Sequence, residues 1–358
     1  SGANLSYVDL SKHDLTGTNL TGVNLSHAKV SNASLKGKDL SGANLSYADL
    51  SKHDLTGTNL SNSILWRTNL SGTDLSSTTL INVISRYANL SESNLPDLLT
   101  NNNFNLAKLT NVNFAGKDLT GSSFELVELE GSDMQNTNLY DTNFIQVDFT
   151  KIKNKSLAGA DLSEASFAHS DLSGVNLAGT ILHTTNFWKA NLSGQDFTVT
   201  DVITDGLVFI ESNLSNSNFE GVNLSPKESY FQVFQNKAHL NNLHYNLIVK
   251  NLFGDFTHIL IISTEVRGND LAVNYVFFNT FVRANLENAN FKDASLEVAG
   301  FYQADLTNAD LSGADLRNAY FVDADLSYAN LEGANLDGAI LDNAIITGAN
   351  LKCINHQI

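Results

Sequence analysis

The side chains most able to do chemistry are few and scattered. The 358 residues include one cysteine, Cys353, so an internal disulfide framework is excluded, and no C-x-x-C or Cys/His spacing suggests zinc. Its simplest reading is an exposed thiol near the last repeat. His13 and His53 occupy equivalent places in two nearly identical blocks, the one arrangement here that metal ligation or acid–base chemistry could use. There is no nucleophile elbow, P-loop or metal-ligand cluster, and Ser and Asp recur so often that any apparent triad would be accidental. The chain is therefore expected to be non-catalytic, without metal or cofactor. Recognition remains, carried by aromatic, arginine and carboxylate side chains whose placement depends on the repeat.

That repeat is plain in the first sixty residues. Ser1 to Leu20 reads SGANLSYVDLSKHDLTGTNL, and Ser41 to Leu60 repeats it with one change, Val8 to Ala48. Inside each block an apolar centre recurs every five residues (Leu5, Leu10, Leu15, Leu20), preceded by Asn or Asp and, two residues back, usually by a small residue. A period of five matches neither an amphipathic helix nor a simple strand, and it marks a solenoid.

The A(D/N)LXX pattern, as in Ala3-Asn4-Leu5-Ser6-Tyr7 and Ala314-Asp315-Leu316-Arg317-Asn318, resembles the pentapeptide-repeat family. The resemblance covers most of the chain. It implies an all-β fold, a right-handed quadrilateral parallel β-helix with four pentapeptides per coil, the centre and the residue two before it pointing inward. For function it implies less, since members bind different partners. The forty-residue duplication equals two such coils.

The physics of such a coil is simple. Four apolar centres meet on the axis, small residues such as Ala33, Ala43 and Ala48 fit the corners, and only stacking hides them. Each buried Leu contributes roughly 1.5–3 kcal/mol. Asn and Asp before the centre are expected to bond local backbone at the corners, a structural role. His13 and His53 then stand about 10 Å apart, two rungs, too far to share one ion. They and Lys38 and Lys117 fall at the inward position, where an unpaired charge is costly, so they must reach out at corners or mark a local change of register.

Along the chain, a first register runs from Leu5 to Leu95 with Ser85 as its exception. The phase slips by one after Pro96 and again around 151–155, where bulges or short loops are expected. Phe replaces many Leu between these slips. The third register runs from Leu157 to Val202, and the pattern continues through Leu224. Ser225, Pro226 and Glu228 then form a capping-box arrangement, and Tyr230, Phe231, Phe234 and Ala238 follow at helical spacing. The expected organisation is an N-terminal β-helix over 1–224, a helical insert over 225–255 and a C-terminal β-helix over 256–358, its register returning through Ile261, Val266, Leu271, Val276 and Phe281.

Two surfaces stand out. At twenty residues per coil, the position two after the centre on one face carries Tyr7, His27, Tyr47, Arg67 and Tyr87, with Trp66 and Arg86 beside it. This is the candidate binding face, since Tyr, Trp and Arg are enriched where proteins bind one another. Stacked aromatics that merely stabilise neighbouring strands are the alternative. The second surface is acidic. Residues 1–60 are balanced between Asp and Lys, whereas Asp305, Asp310, Asp315, Asp323 and Asp325 lie in a C-terminal portion with few bases. A net charge of -17 argues against direct nucleic-acid binding. An acidic surface steers toward a basic partner or serves solubility.

Three readings follow: a protein–protein interaction scaffold similar to bacterial effectors; a DNA-mimicking modulator resembling the members that protect or inhibit gyrase; or the substrate-recognition part of an effector ubiquitin ligase, without its catalytic domain. No apolar run approaches ~18 residues, so no membrane-spanning helix is expected. The chain begins inside a repeat at Ser1 and shows no cap at either end, which points to end-to-end homodimerisation, a flanking region, or both. The composition suits a bacterial cytoplasm or delivery into a host cell equally.

Overall fold

Each five-residue unit builds one side of a coil by the same local chemistry. In the first, the Asn4 side-chain oxygen accepts the Ser6 amide at 3.1 Å, and the Leu5 carbonyl accepts the Val8 amide at 3.3 Å. These bonds close a tight turn whose second central residue, Tyr7, has φ 61°, as a type II turn requires. Asn4 then pairs in parallel with Asn24, and Asn24 with Asn44, so one coil takes twenty residues. The Asn and Asp side chains are turn caps, and many also climb the faces as ladders: Asn59 donates to Asp39 at 3.1 Å and Asn69 to Asp49 at 3.0 Å. The apolar centres and the small residues two before them, such as Ala43 and Ala48, are buried.

The computed structural model describes residues 2–31, 33–200, 206–225 and 280–352, and the backbone of four short strands between 260 and 277. Its contacts divide the chain into two compact units, Ser1–Ile181 and Leu182–Ile358. Among the described residues, helical structure is confined to two three-residue 3-10 turns, and no helix is long and apolar enough to cross a membrane.

In the first unit the coil absorbs two changes of phase. Across Pro96 the rungs shorten to nineteen residues, Ile84 pairing with Asn103 and Asn89 with Lys108. Across 149–155 they lengthen to twenty-three, Asn138 pairing with Asp161. The surplus is taken up by 3-10 turns at Phe149–Lys151 and Lys153–Lys155; Asp148 caps the first, and Lys153 reaches Asp133 at 2.8 Å. Phenylalanines fill this core as a continuous stack, with Phe104–Phe124 and Phe124–Phe144 ring centres 5.1 and 4.8 Å apart.

In the second unit the rungs reach twenty-two residues, Asn186 pairing with Val208; Val202, expected as a centre, lies outside the described residues. A far larger interruption follows. Val208 pairs with Thr280 and Asn213 with Asn285, seventy-two residues on, yet the core does not break there. Phe209 stacks on Phe281 at 5.1 Å and Phe219 on Phe291 at 4.8 Å, so the intervening chain leaves at a single corner after Leu224 and returns at Thr280. Within the second unit, the coil before the expected insert and the coil after it are thus directly stacked. The helix expected over 225–255 lies outside the described residues from 226 onward.

The return of the five-residue register at 256 also differs. Strands β1 (Leu260–Ile261), β2 (Thr264–Arg267), β3 (Asp270–Val273) and β4 (Val276–Phe277) pair antiparallel, β1 with β4 and β2 with β3 in one continuous register, and the parallel coil ladder resumes only at Thr280. The reason is that a spacing of five does not exclude a ribbon of β-branched residues. Arg267 pairs with Asp270 with Gly268 and Asn269 between them in sequence, a composition that two-residue hairpin connections favour.

Candidate interaction face

The first unit brings the predicted face together as one column. Tyr7 stacks on His27 with ring centres 4.6 Å apart and planes within 5°, and His27 on Tyr47 at 4.1 Å. Trp66 meets Tyr47 edge-on at 4.9 Å and Tyr87 at 6.3 Å. The Arg67 guanidinium closes the column, 5.2 Å from the ring centres of both Trp66 and Tyr87 and 6.0 Å from that of Tyr47. Tyr7, Tyr47 and Tyr87 are 74%, 39% and 42% exposed, so the stack stands on the surface.

The backbone beneath carries a constraint that recurs at corners throughout the described coils, as at Leu106, Leu126, Lys189 and Tyr328. Tyr7, His27, Tyr47, Arg67 and Tyr87 all have φ between 53° and 62°, a conformation that favours glycine or asparagine. Other corners of the same coils meet that requirement with Gly2, Gly22 and Gly42, or with Gly17, Gly37 and Gly57. Large side chains in the left-handed region are held there against their intrinsic preference, and such positions concentrate at functional sites. Mutual ring stacking offsets part of the cost.

The other residues singled out by sequence are distributed differently. His13 is exposed, while the His53 Nε2 lies 2.7 Å from the Val30 carbonyl. A carbonyl only accepts, so His53 carries its proton on Nε2. Lys38 likewise donates to the Leu15 carbonyl at 2.6 Å, and Thr58 and Thr68 to those of Leu35 and Leu45. Polar residues at the inward position thus satisfy corner carbonyls of the preceding coil, while buried Lys117 reaches out to Asp97 at 3.0 Å. Among the described residues no three His, Cys, Asp or Glu side chains cluster as metal ligands do; Cys353 lies outside them.

The acidic residues of the second unit are turn caps first. Asp305, Asp310, Asp315 and Asp325 each accept the amide two residues on, from Thr307, Ser312, Arg317 and Ser327. Asp323 sits at a left-handed corner and accepts from Asn343 at 3.2 Å. Asp305 and Asp325 are paired on adjacent rungs. The Arg317 side chain holds the Asp315 carboxyl below the usual carboxylate range, against the opposing effect of burial. In the first unit the hydroxyls of Ser11, Ser41 and Ser51, helped by their amides, do the same for Asp9, Asp39 and Asp49.

Sequence reasoning missed a second ladder. Lys189 meets Glu211 at 3.2 Å, and Arg283 pairs with the same carboxylate, while the Lys189 ammonium also lies over the Trp188 ring. The signal was present but spaced by twenty-two and seventy-two residues. Ile64 and Ile84, which flank Trp66 and Arg86, were also passed over although they replace the usual Asn.

A parallel solenoid with four five-residue sides per coil and Asx-capped corners defines the class. The family model described as "Pentapeptide repeats (8 copies)" matches residues 1–97, in overlapping segments, and then 118–150, 160–198, 281–318 and 319–352, more than half of the chain. The chain belongs to the pentapeptide-repeat family, whose members form right-handed β-helices. No curated protein matches it. Among solved structures, a pentapeptide repeat protein from the Arabidopsis thaliana thylakoid lumen is 46% identical over 20% of this chain, with TM-score 0.19; the match spans 54% of that protein. HetL of the cyanobacterium Nostoc sp., involved in heterocyst differentiation regulation, is 22% identical, with 87% of this chain and 88% of HetL covered and TM-score 0.19. QnrB1, a plasmid-mediated fluoroquinolone resistance protein, is 17% identical, with 51% and 86% covered and TM-score 0.20.

Proposed function

We propose that this protein is a non-catalytic scaffold that binds another protein through the column Tyr7, His27, Tyr47, Trp66, Arg67 and Tyr87. The observation that carries this is the continuous stack of exposed aromatic and arginine side chains along one column of corners. Stacking alone does not require residues of this kind to remain open to solvent. A pull-down from bacterial and host-cell lysates tests the reading, with a variant carrying Tyr7, Tyr47, Trp66 and Tyr87 changed to Ser. A discrete partner kept by the native chain and lost by the variant is expected; a partner held equally by both would overturn the assignment of the face.

A second reading is favoured by charge density in the second unit. Residues 320–339, one coil, carry Asp323, Asp325, Glu332 and Asp337 with no Lys or Arg. Duplex DNA carries one charge per about 1.7 Å, so a rung spacing of about 4.8 Å corresponds to about three. A DNA-mimicking surface would capture gyrase or another DNA-binding enzyme independently of the aromatic column and release it at high salt.

A further inference from the structure

We propose that Arg67 and Arg86 form a carboxylate-binding pair, and that the partner docks on this face through an acidic segment that also carries aromatic side chains. The inference rests on the interaction reading above and names the chemistry of its partner. The two arginines stand on neighbouring rungs, the Arg67 amide donating to the Arg86 carbonyl at 3.1 Å, and both side chains are exposed. Neither guanidinium has a hydrogen-bond or carboxylate partner among the described residues.

This is not how the molecule treats its other described arginine side chains. Arg283 pairs with Glu211, and Arg317 grips Asp315 and Glu297. In a chain of net charge -17 carboxylates are abundant, yet two like charges are placed one rung apart with none supplied. Ile64 pairs with Ile84, so Arg86 stands opposite Trp66 and Arg67 opposite Tyr87, two diagonal cations with no anion at either level. The flanking rings bracket the fork: the Arg67 guanidinium carbon lies 5.2 Å from the ring centres of Trp66 and Tyr87, and its N–H groups have no hydrogen-bond partner among the described residues. A planar guanidinium so bracketed suits bidentate capture of a carboxylate. Ile84, 43% exposed beside Arg86, adds an apolar contact next to the charges. A segment that alternates carboxylates with aromatic side chains meets both features. The net negative charge disfavours long polyanions and leaves a short acidic segment as the better fit.

Fluorescence anisotropy with two labelled peptides tests this, Glu-Phe-Glu-Phe-Glu and its neutral counterpart Gln-Phe-Gln-Phe-Gln. The native chain should bind the acidic peptide at least tenfold more tightly, and rising salt should erode the difference. R67Q/R86Q should lose the preference, while R283Q in the second unit should keep it; R86Q alone, whose side chain lies over no ring among the described residues, serves if the double variant fails to fold. Equal binding of both peptides by the native chain, or an unchanged preference in R67Q/R86Q, would overturn the proposal. A phosphoserine peptide that binds tenfold more tightly than the glutamate peptide would also overturn it. So would concentration-dependent self-association abolished by R67Q/R86Q, in favour of a second copy of this chain. A lysate partner lost with the four aromatic substitutions but retained by R67Q/R86Q would leave the interaction reading standing and remove this one.

Discussion

The two units solve the same backbone problem with opposite surfaces. In the first, a left-handed corner column carries Tyr7, His27, Tyr47, Arg67 and Tyr87, its rings stacked at one end and the Arg67 charge left without a carboxylate between Tyr47 and Tyr87. In the second, a corner column carries Lys189, Glu211 and Arg283, whose two cations share one carboxylate within the column. One apolar patch on the outside of the second unit is also covered: Val282 and Tyr320 are buried with Ile210, Val298, Tyr302 and Ile340 packed against them, while Tyr328 and Ile345 stay exposed. The lesson is that the coil dictates where side chains stand and in what spacing, while each column is free to be self-satisfied or left open. Openness is therefore a property of chosen side chains, and in the first unit it falls on a whole stacked column.

The most severe way to test that comparison is to remove what the units share. Leu65→Lys in the first unit and Leu316→Lys in the second place a charge at fully buried positions; each should cost more than about 4 kcal/mol. Thermal melts followed by circular dichroism should show loss of the corresponding transition, and an unchanged melt would refute the inward assignment. Next, Phe281→Ala removes a ring stacked between Phe209 and Phe301 across the seventy-two-residue pairing. A loss of about 3–5 kcal/mol is expected, seen as destabilisation of the second unit alone.

Smaller effects separate the columns themselves. Tyr47→Ala loses contacts with His27 and Trp66 and should cost about 1 kcal/mol while abolishing partner capture. A loss comparable to that of Phe281→Ala would instead make the aromatic column a structural device. In the second unit, Glu211→Gln should cost less than about 1 kcal/mol and only at low salt, because its partners are partly solvated. The weakest effect is that of acid. Asp9, Asp14, Asp39, Asp49, Asp54 and Asp74 are held below the ordinary carboxylate range, chiefly by hydroxyls of their own turns. A depressed folded value adds stability above the unfolded carboxyl pKa, near ~3.9, and that stability is lost as pH falls below it. Protection of the Ser11, Ser41 and Ser51 amides, taken relative to their intrinsic exchange rates, should fall below that pH, and an unchanged protection would contradict the turn-cap assignment.

Much of this was legible because the repeat is short. Leu5, Leu10 and Leu15 announce the period, Asn4 and Asp9 announce the corner bonds, and a twenty-residue step suffices to align Tyr7 with His27 and Tyr47. Pro96 and Lys151 to Lys155 betray their changes of phase locally. Legibility fails where alignment depends on chain that the coil does not count. The partners Glu211 and Arg283 are seventy-two residues apart, so no fixed step reveals them, and the spacing of Ile261, Val266, Leu271 and Val276 fits an antiparallel ribbon as well as a coil.

The sequence by itself determined the repeat, the buried residues, the family and the aromatic face, because each follows from five-residue periodicity and local turn chemistry. Only the tertiary structure decided that coils stack directly across the long interruption, that Lys38 and His53 satisfy carbonyls one coil away, and that Arg67 and Arg86 stand together without carboxylate partners. The first depends on a register that the length of the intervening chain leaves unspecified, and the other two on side-chain reach and partners that repeat spacing does not encode.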